Sequence, residues 1–168
     1  MTFRPATGTQ ILLVTAFAGA VLFAMGVFFL VLSYQFRARG PVEYAFLFSG
    51  LSLLLLLVGS TNFRIRRYEV DANRLTVRLG LSAKVFSLQN LEEARVETRP
   101  FAGSIRVMGI GGLWSNYGLF SSQRWGKFHA YASDTSVGVL LIWPNKKVLV
   151  TPADPLAFIE SVKSTSAK

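Results

Sequence analysis

The 168-residue chain contains no cysteine and only one histidine, His129, and these absences exclude several kinds of site. Without cysteine the chain can form no disulfide, no thiolate zinc site and no iron–sulfur cluster. A single histidine cannot build a multi-histidine metal centre within one chain. We therefore expect neither a metal nor a cofactor. Acidic residues are also scarce, with 9 Asp and Glu against 18 Lys and Arg, and the formal net charge is +9.

Apolar residues, in contrast, are abundant, at 51% of the sequence with a mean hydropathy of +0.41. In the run 11–32 only Thr15, Gly19 and Gly26 are not strongly apolar. A helix of about 20 such residues crosses a bilayer. The alternative, a cleaved secretory signal, would use the small residues at 16–20 as its cleavage site. The apolar run continues a further dozen residues beyond them, which favours an uncleaved anchor.

A second uncharged stretch, residues 44–63, is also long enough to cross a bilayer. A short polar turn with the Gly40-Pro41 breaker pair separates it from the first run. In hydrocarbon a helix satisfies its own backbone hydrogen bonds, so two helices are expected, over about 10–35 and 43–62. The sequence therefore predicts a transmembrane helical hairpin in residues 1–62.

The distribution of arginine predicts the orientation of this hairpin. Lys and Arg are enriched in segments on the cytoplasmic side of a membrane. Two arginines, Arg37 and Arg39, lie in the turn, and four lie on the opposite side: Arg4, Arg64, Arg66 and Arg67. This margin predicts a multi-pass protein of the inner (cytoplasmic) membrane with both termini in the cytoplasm.

Small residues recur along one side of the first helix, at Ala16, Gly19, Ala20 and Ala24. Small side chains at this spacing let another helix approach closely. One interpretation is a helix-packing face for a partner subunit. The other, which we favour, is packing on the second helix of the same hairpin or ordinary small-residue content.

Residues 63–168 have the pattern of a small β domain with a closing helix. Leu75, Val77 and Leu79 alternate with polar residues, as in a half-buried strand, and about seven such short strands follow one another. Asp154-Pro155 is an N-cap followed by proline, which predicts a C-terminal helix over about 155–163. The strand number and the helix predict a partly open barrel or an orthogonal sandwich.

At this level of detail the chain resembles the bacterial pleckstrin-homology-like (PH-like) domain proteins that carry an N-terminal transmembrane hairpin. The resemblance covers about residues 63–164 and rests on core and turn motifs. These motifs are Gly111-Gly112-Leu113, Gly118-Leu-Phe120, Gly126-Lys-Phe-His-Ala-Tyr131, Val139-Leu-Leu-Ile142, Thr151-Pro-Ala-Asp-Pro155 and Phe158-Ile159.

The resemblance implies a membrane-tethered module with no catalytic signature. Many eukaryotic PH domains bind phosphoinositides through a basic hairpin between their first two strands. Here the corresponding hairpin would contain four arginines, Arg66, Arg67, Arg74 and Arg78. Its tip, Asp71-Ala-Asn73, lacks the clustered lysines of such sites.

The Gly-rich segment 109–118 is the only candidate nucleotide loop, but no helix-forming run and no P-loop Lys-Ser/Thr pair follow it. We favour a structural role for its glycines, at turns or bulges. A second interpretation is a partner-docking loop over 114–120, which carries four large apolar residues: Trp114, Tyr117, Leu119 and Phe120.

Arg64, Arg66 and Arg67 form the most informative charge cluster, because they follow the second helix directly. Basic residues at this position favour an anionic leaflet. We expect them to contact membrane lipids. Nucleic acid is not expected as a partner, since exposed stacking aromatics beside the basic residues are not evident.

No arrangement in the sequence predicts catalysis. Glu92, Glu93 and Glu97 alternate with Arg95 and Arg99, a pattern typical of solvent-exposed ion pairs. The lone His129 has no carboxylate companions nearby in sequence, so we expect a surface side chain. No small-molecule substrate is indicated.

The sequence thus predicts a non-enzymatic membrane protein whose hairpin tethers a cytoplasmic PH-like domain. The domain would dock a protein partner or anionic lipid at the membrane surface. The alternative is a structural or accessory subunit of a larger membrane complex, for example a respiratory or photosynthetic one. In that case other membrane-protein subunits would be its partners.

Overall fold

The computed structural model describes residues 1–37, 40–71, 73–110 and 113–166. Arg39 of the predicted hairpin turn, Ala72 of the predicted hairpin tip, and Gly111 and Gly112 of the Gly-rich segment lie outside the described residues. The described chain has two long N-terminal helices, ten strands in two sheets, and a C-terminal helix. This confirms the predicted order of a helical hairpin and a mainly-β PH-like domain. The two sheets do not close into a barrel.

The hairpin consists of α1, Thr9–Gln35, and α2, Pro41–Ser60. Both helices are long and apolar enough to cross a membrane, with mean hydropathies of 2.5 and 2.0. Pro41 stands at the first position of α2, where its missing N–H costs no hydrogen bond. At 1.5 Å per residue α2 is about 30 Å long, which matches the hydrocarbon thickness of a bilayer.

The two helices approach each other most closely at a pair of glycines. A Cβ at Gly50 would lie 2.9 Å from the Gly26 carbonyl oxygen, and one at Gly26 would lie 2.9 Å from the Leu54 side chain. A third glycine, Gly19, faces Leu57.

Of the predicted small-residue face, therefore, only Gly19 lies against α2. The other three members, Ala16, Ala20 and Ala24, are exposed. Packing on the second helix, one half of the favoured interpretation, is therefore wrong for the three alanines. The other half, ordinary small-residue content, and the alternative of a face for a partner subunit stay predictions. The contacts of α1 with α2 include Gly19 and Gly26, whereas Thr15 accepts a hydrogen bond from the Trp114 N–H of the β domain.

The strands form two sheets. In chain order they are β1 Thr2–Phe3, β2 Arg67–Asp71, β3 Arg74–Arg78, β4 Ala83–Ser87, β5 Glu93–Thr98, β6 Ser104–Ile110, β7 Asn116–Ser122, β8 Gly126–Ala132, β9 Val137–Trp143 and β10 Lys146–Val150. The first sheet has the order β1-β2-β3-β4 and the second β5-β9-β10-β8-β7-β6. Neighbouring strands are antiparallel except β8 and β10, which are parallel.

The main core lies between the two sheets. Tyr68, Leu75 and Val77 from the first sheet pack with Leu141 and Val150 from the second. The C-terminal helix α3, Pro155–Ser166, adds Phe158 and Val162 to this core. Asp154 caps the helix, because its Oδ1 accepts a hydrogen bond from the Ala157 N–H at 3.1 Å. The predicted helix was therefore right in its start and three residues short at its end.

A second, smaller core covers the opposite face of the six-stranded sheet. Phe120, Trp125 and Phe128 are buried there, with Phe101 packed against them. Residues 116–122 form strand β7, which contains Tyr117, Leu119 and Phe120 of the docking loop that was the second interpretation of this region. Gly118 interrupts the alternation of apolar and polar residues that would have indicated a strand. Gly109 and Gly118 face each other across β6 and β7 with positive φ, so glycine is required at both positions.

The first six residues belong to the β domain, although the predicted boundary placed them with the hairpin. Strand β1 pairs with β2, and the Met1 amine donates a hydrogen bond to the Val70 carbonyl at 2.6 Å. The Ala6 N–H donates to Thr151 O at 2.8 Å. The N-terminus therefore lies on the same side of the hairpin as the β domain.

Candidate membrane-surface site

The candidate site lies where the chain leaves α2 and enters the β domain. A single 3-10 turn, Thr61–Phe63, connects Ser60 to the first arginine of the basic cluster. The turn between β3 and β4, residues 79–82, lies directly against this connection. The Gly80 N–H donates to Asn62 O at 3.0 Å, and a Cβ at Gly80 would lie 2.6 Å from the Asn62 Cα. Glycine therefore allows the turn to contact the end of the helix.

The two segments enclose a groove that we call the junction groove. It has a volume of about 600 Å³, and its lining includes Val58, Arg64, Arg66, Gly80 and Leu81. A second depression of about 550 Å³ shares Arg66 and Leu81 and extends to Arg67 and Arg78. One side of the groove is thus apolar and continuous with α2, while the other carries guanidinium groups.

The four arginines of this region differ in how far their charge is already neutralised. Glu69 forms salt bridges with Arg67 at 2.6 Å and with Arg78 at 3.0 Å. The hydrogen bond from Arg78, with the charges of Arg78 and Arg67, holds the pKa of Glu69 below its usual value. Glu69 therefore remains a carboxylate that offsets these two cations in part.

Arg64 and Arg66 have no such partner. Among the residues that the structure describes, no carboxylate lies within salt-bridge distance of either side chain. The Arg64 guanidinium lies 5.7 Å from the centroid of the Trp114 ring, a cation–π contact that leaves its charge unneutralised. These two arginines are thus the cations of the junction groove that can bind an anion.

Trp114 connects the β domain to both helices. Its backbone N–H donates to Thr15 Oγ1 in α1 at 2.8 Å, and its Nε1 donates to Ser60 Oγ in α2 at 3.0 Å. The next residue reinforces the contact, because Ser115 Oγ donates to Phe63 O at 2.6 Å. Tryptophan is enriched at membrane–water interfaces, where its ring is buried and its N–H is bonded.

The other members of the predicted docking loop do not protrude. Phe120 is buried and stacks on Phe128, and Tyr117 contacts the Tyr131 ring edge-on at 5.2 Å. Leu119 is half-buried within β7. The prediction of an exposed loop is therefore wrong for these three residues, because pairing with β6 and β8 places them within a sheet.

Two of the three glutamates considered as catalytic residues, Glu93 and Glu97, form ion pairs with Arg95. Glu97 accepts a hydrogen bond from Arg95 Nε at 2.7 Å and lies 3.5 Å from Arg124. Glu97 itself is buried, whereas the prediction placed these pairs in solvent. His129 is exposed on β8. Within the described ranges, no three His, Asp or Glu side chains come together as a metal site would require.

Sequence reasoning missed the contribution of the β3–β4 turn. Leu81 follows Gly80 in the turn between β3 and β4, and Arg78 precedes it at the end of β3. The available signal was a large apolar residue at a turn position, where polar residues are usual. Its proximity to α2 depends on the backbone contact of Gly80 and could not be inferred from sequence spacing.

Comparison with known families agrees with this architecture. Residues 66–166 match the family model described as Bacterial PH domain. No curated protein and no solved structure gives a significant match to the chain. The matched segment begins at Arg66 in the junction groove and ends within α3, and it covers more than half of the sequence. The chain therefore belongs to the Bacterial PH domain family.

Proposed function

We propose that this protein is a non-enzymatic, membrane-tethered module whose PH domain binds acidic phospholipid headgroups in the junction groove. The observation that carries the proposal is the position of Arg64 and Arg66, two unneutralised cations in a groove that begins at the apolar end of α2. A phospholipid beside the helix would present its acyl chains to α2 and its phosphate to these guanidinium groups. Each basic residue near an anionic leaflet contributes about 1 kcal/mol.

This site differs in position from the hairpin tip through which many eukaryotic PH domains bind inositol lipids. The hairpin tip between β2 and β3 is flanked by Asp71 and Asn73 and lies at the end of β2 remote from α2. Arg74 at that end lies opposite Asp71 in the β2–β3 register. A headgroup site is therefore better supported at the junction groove than at the tip.

We further propose that both ends of the hairpin and the PH domain lie in the cytoplasm, at the inner membrane. The pairing of β1 with β2 supports one common side for the N-terminus and the domain. The excess of arginines on that side, four against two, favours the cytoplasmic face. A reporter that is active only in the periplasm, fused to the C-terminus, tests this orientation. Activity of the reporter would place the C-terminus in the periplasm and contradict the proposed orientation.

Lipid binding is tested on the full chain in neutral detergent. Short-chain phosphatidylglycerol and phosphatidylcholine are titrated separately, and bound lipid is counted by native mass spectrometry. The double variant Arg64→Gln/Arg66→Gln should lose about 30-fold in affinity for phosphatidylglycerol, as about 1 kcal/mol for each arginine implies.

Arg74→Gln is the matched control, because it removes an arginine at the end of the β2–β3 hairpin that is remote from α2. It should retain the affinity of the unaltered protein within about twofold. Binding should also weaken as salt is raised. Equal affinity of the double variant and the unaltered protein for phosphatidylglycerol would overturn the proposal.

A role as an accessory subunit is a second candidate, and the edge strand β6 favours it. Ile105 and Met108 on this strand are 70% and 73% exposed. The adjacent strands β6, β7 and β8 contain two basic residues, Arg106 and Lys127, and no Asp or Glu. An acidic, partly apolar segment of another subunit would fit this surface, whereas a second copy would bring like charges together at Arg106.

This second function is tested by gentle extraction from the native membrane and a native gel. Ile105→Asp/Met108→Asp should release the chain from a larger complex, while Leu156→Asp on exposed α3 should not. A monomer of 18.5 kDa without co-purifying subunits in the unaltered protein would exclude the accessory role.

A further inference from the structure

The β3–β4 turn carries an apolar side chain in an unusual position. Leu81 is 86% exposed, the largest exposed fraction among the large apolar side chains of the described residues. Turns of soluble domains favour Gly, Asn, Asp, Ser and Pro, because such residues tolerate both the backbone conformation and water. Exposure of a leucine side chain to water is unfavourable, so an apolar environment near the turn would stabilise it.

Three backbone hydrogen bonds fix where this turn lies. The Leu79 N–H donates to Ser82 O at 2.8 Å and closes the turn, and the Gly80 N–H donates to Asn62 O. The Arg66 N–H donates to Arg78 O at 2.8 Å just below it. Because the turn is bonded both to itself and to the segment that leaves α2, Leu81 is held at the level of the end of that helix.

That level corresponds to the edge of the hydrocarbon if α2 crosses the membrane. The 20 residues of α2 span about 30 Å, which is the hydrocarbon thickness, so its last turn reaches the headgroup boundary. Leu81 lines the same groove as Val58 and Gly59 in that last turn. With α2 across the membrane, its side chain would lie beside acyl chains and not beside bulk water.

We propose that the β3–β4 turn inserts into the leaflet, with Leu81 among the acyl chains and Arg66 and Arg78 at the level of the phosphates. The partner of this surface is the lipid bilayer itself. The inference rests on the membrane tether of the proposed function and adds a second point of contact to it. Two points, the α2 exit and the turn, restrict the tilt of the domain relative to the membrane surface.

Depth-dependent fluorescence quenching tests the insertion on the full chain. The protein has no cysteine, so Leu81→Cys accepts a single environment-sensitive fluorophore. The labelled protein is reconstituted into vesicles of phosphatidylcholine, with or without phosphatidylglycerol, whose acyl chains carry bromine. Leu55→Cys on exposed α2 is the positive control and Leu156→Cys on α3, 68% exposed, is the negative one.

The label at position 81 should be quenched to at least half the extent of the label at 55 in both kinds of vesicle, and the label at 156 should not be quenched. Quenching at 55 without quenching at 81 would overturn the insertion and leave the tether intact. Quenching at 81 only with phosphatidylglycerol would overturn insertion driven by the bilayer itself, because the turn would then reach the acyl chains only through binding of acidic headgroups. Failure of both labels to be quenched would overturn the tether and the inference together.

Discussion

The hairpin and the β domain distribute their apolar side chains in opposite ways. In α1 and α2 large side chains such as Phe17 and Leu55 are exposed, and the most buried positions include Gly26, Gly50 and Ser33. In the β domain large side chains such as Leu141 are fully buried. The difference indicates two solvents, because lipid needs no apolar interior and helices in it associate through small residues. Water, in contrast, drives large side chains into a core.

The contacts between the two regions are mainly polar and aromatic. Trp114 bonds to Thr15 and Ser60, and Phe63 contacts the Tyr117 ring. Hydrogen bonds of this kind form equally well at the boundary of water and lipid, where neither apolar burial nor full hydration dominates. A substitution at the junction should therefore have only a small effect on the stability of the hairpin and of the β domain.

Truncating one leucine in each region is the strongest test of this comparison. Leu141→Ala creates a cavity in the main core and should lower the free energy of unfolding by about 2–5 kcal/mol. Leu55→Ala on the exposed side of α2 should change it by less than about 0.5 kcal/mol. Thermal unfolding of the full chain in mild detergent measures both. A large loss from Leu55→Ala would show that α2 packs against protein and not lipid.

The second test concerns a buried hydroxyl in the main core. Tyr68 Oη donates to Tyr131 O at 2.7 Å and accepts from the Thr151 N–H at 3.2 Å. Burial raises the pKa of Tyr68 to about 12. Because the folded pKa lies above the ordinary value of about 10, the stabilisation is complete below pH 10 and is lost as pH rises to 12.

Replacing Tyr68 by Phe removes this dependence. Between pH 10 and pH 12 the free energy of unfolding falls in the unaltered protein, and in the variant this fall should be smaller by about 2–3 kcal/mol. At pH 8 it should be less stable by about 1–3 kcal/mol, because a buried carbonyl and a buried N–H lose their partner. Tyr34→Phe, on an exposed side chain of α1, is the control. Identical alkaline profiles for Tyr68→Phe and the unaltered chain would contradict the prediction.

The third test addresses packing inside the hairpin. A Cβ at Gly50 would lie 2.9 Å from both the Gly26 carbonyl oxygen and the Leu30 side chain. Gly50→Val should therefore separate the helices and cost about 1–3 kcal/mol. Spin labels at cysteines introduced on α1 and α2 measure the separation, and Gly59→Val is the control, because a Cβ there meets nothing within 4 Å. An unchanged distance for Gly50→Val would show that glycine is not required.

Much of this architecture follows from sequence periodicity alone. The apolar runs predicted both long helices, and Asp154-Pro155 predicted the start of α3 correctly. Strand β1, in contrast, has only two residues, and its strand conformation arises from pairing with β2. A polar N-terminal segment gives no local signal of a partner 65 residues away.

Only the part of the candidate site that depends on local sequence could be predicted. The arginines at 64, 66 and 67 are close in sequence and directly follow an apolar helix, so their proposed position near lipid follows from order along the chain. The difference in charge neutralisation among these arginines does not follow from sequence order. It arises because Glu69 forms salt bridges with Arg67 and, across the strand pair, with Arg78. The role of Leu81 likewise depends on the tertiary contact at Gly80.

The smallest expected effect lies at the junction between the two regions. Trp114→Phe keeps the ring and the backbone bond to Thr15 but removes the Nε1 bond to Ser60, at a cost of about 1 kcal/mol. The Ser60 hydroxyl still donates to Leu57 O at 2.6 Å, so no buried donor is left unpaired. In a double-mutant cycle with Ser60→Ala, unfolding in detergent should give a coupling energy of about 0.5–1 kcal/mol. A coupling near zero would mean that the tryptophan orients the domain through its ring, by packing and by the cation–π contact with Arg64, and not through its N–H.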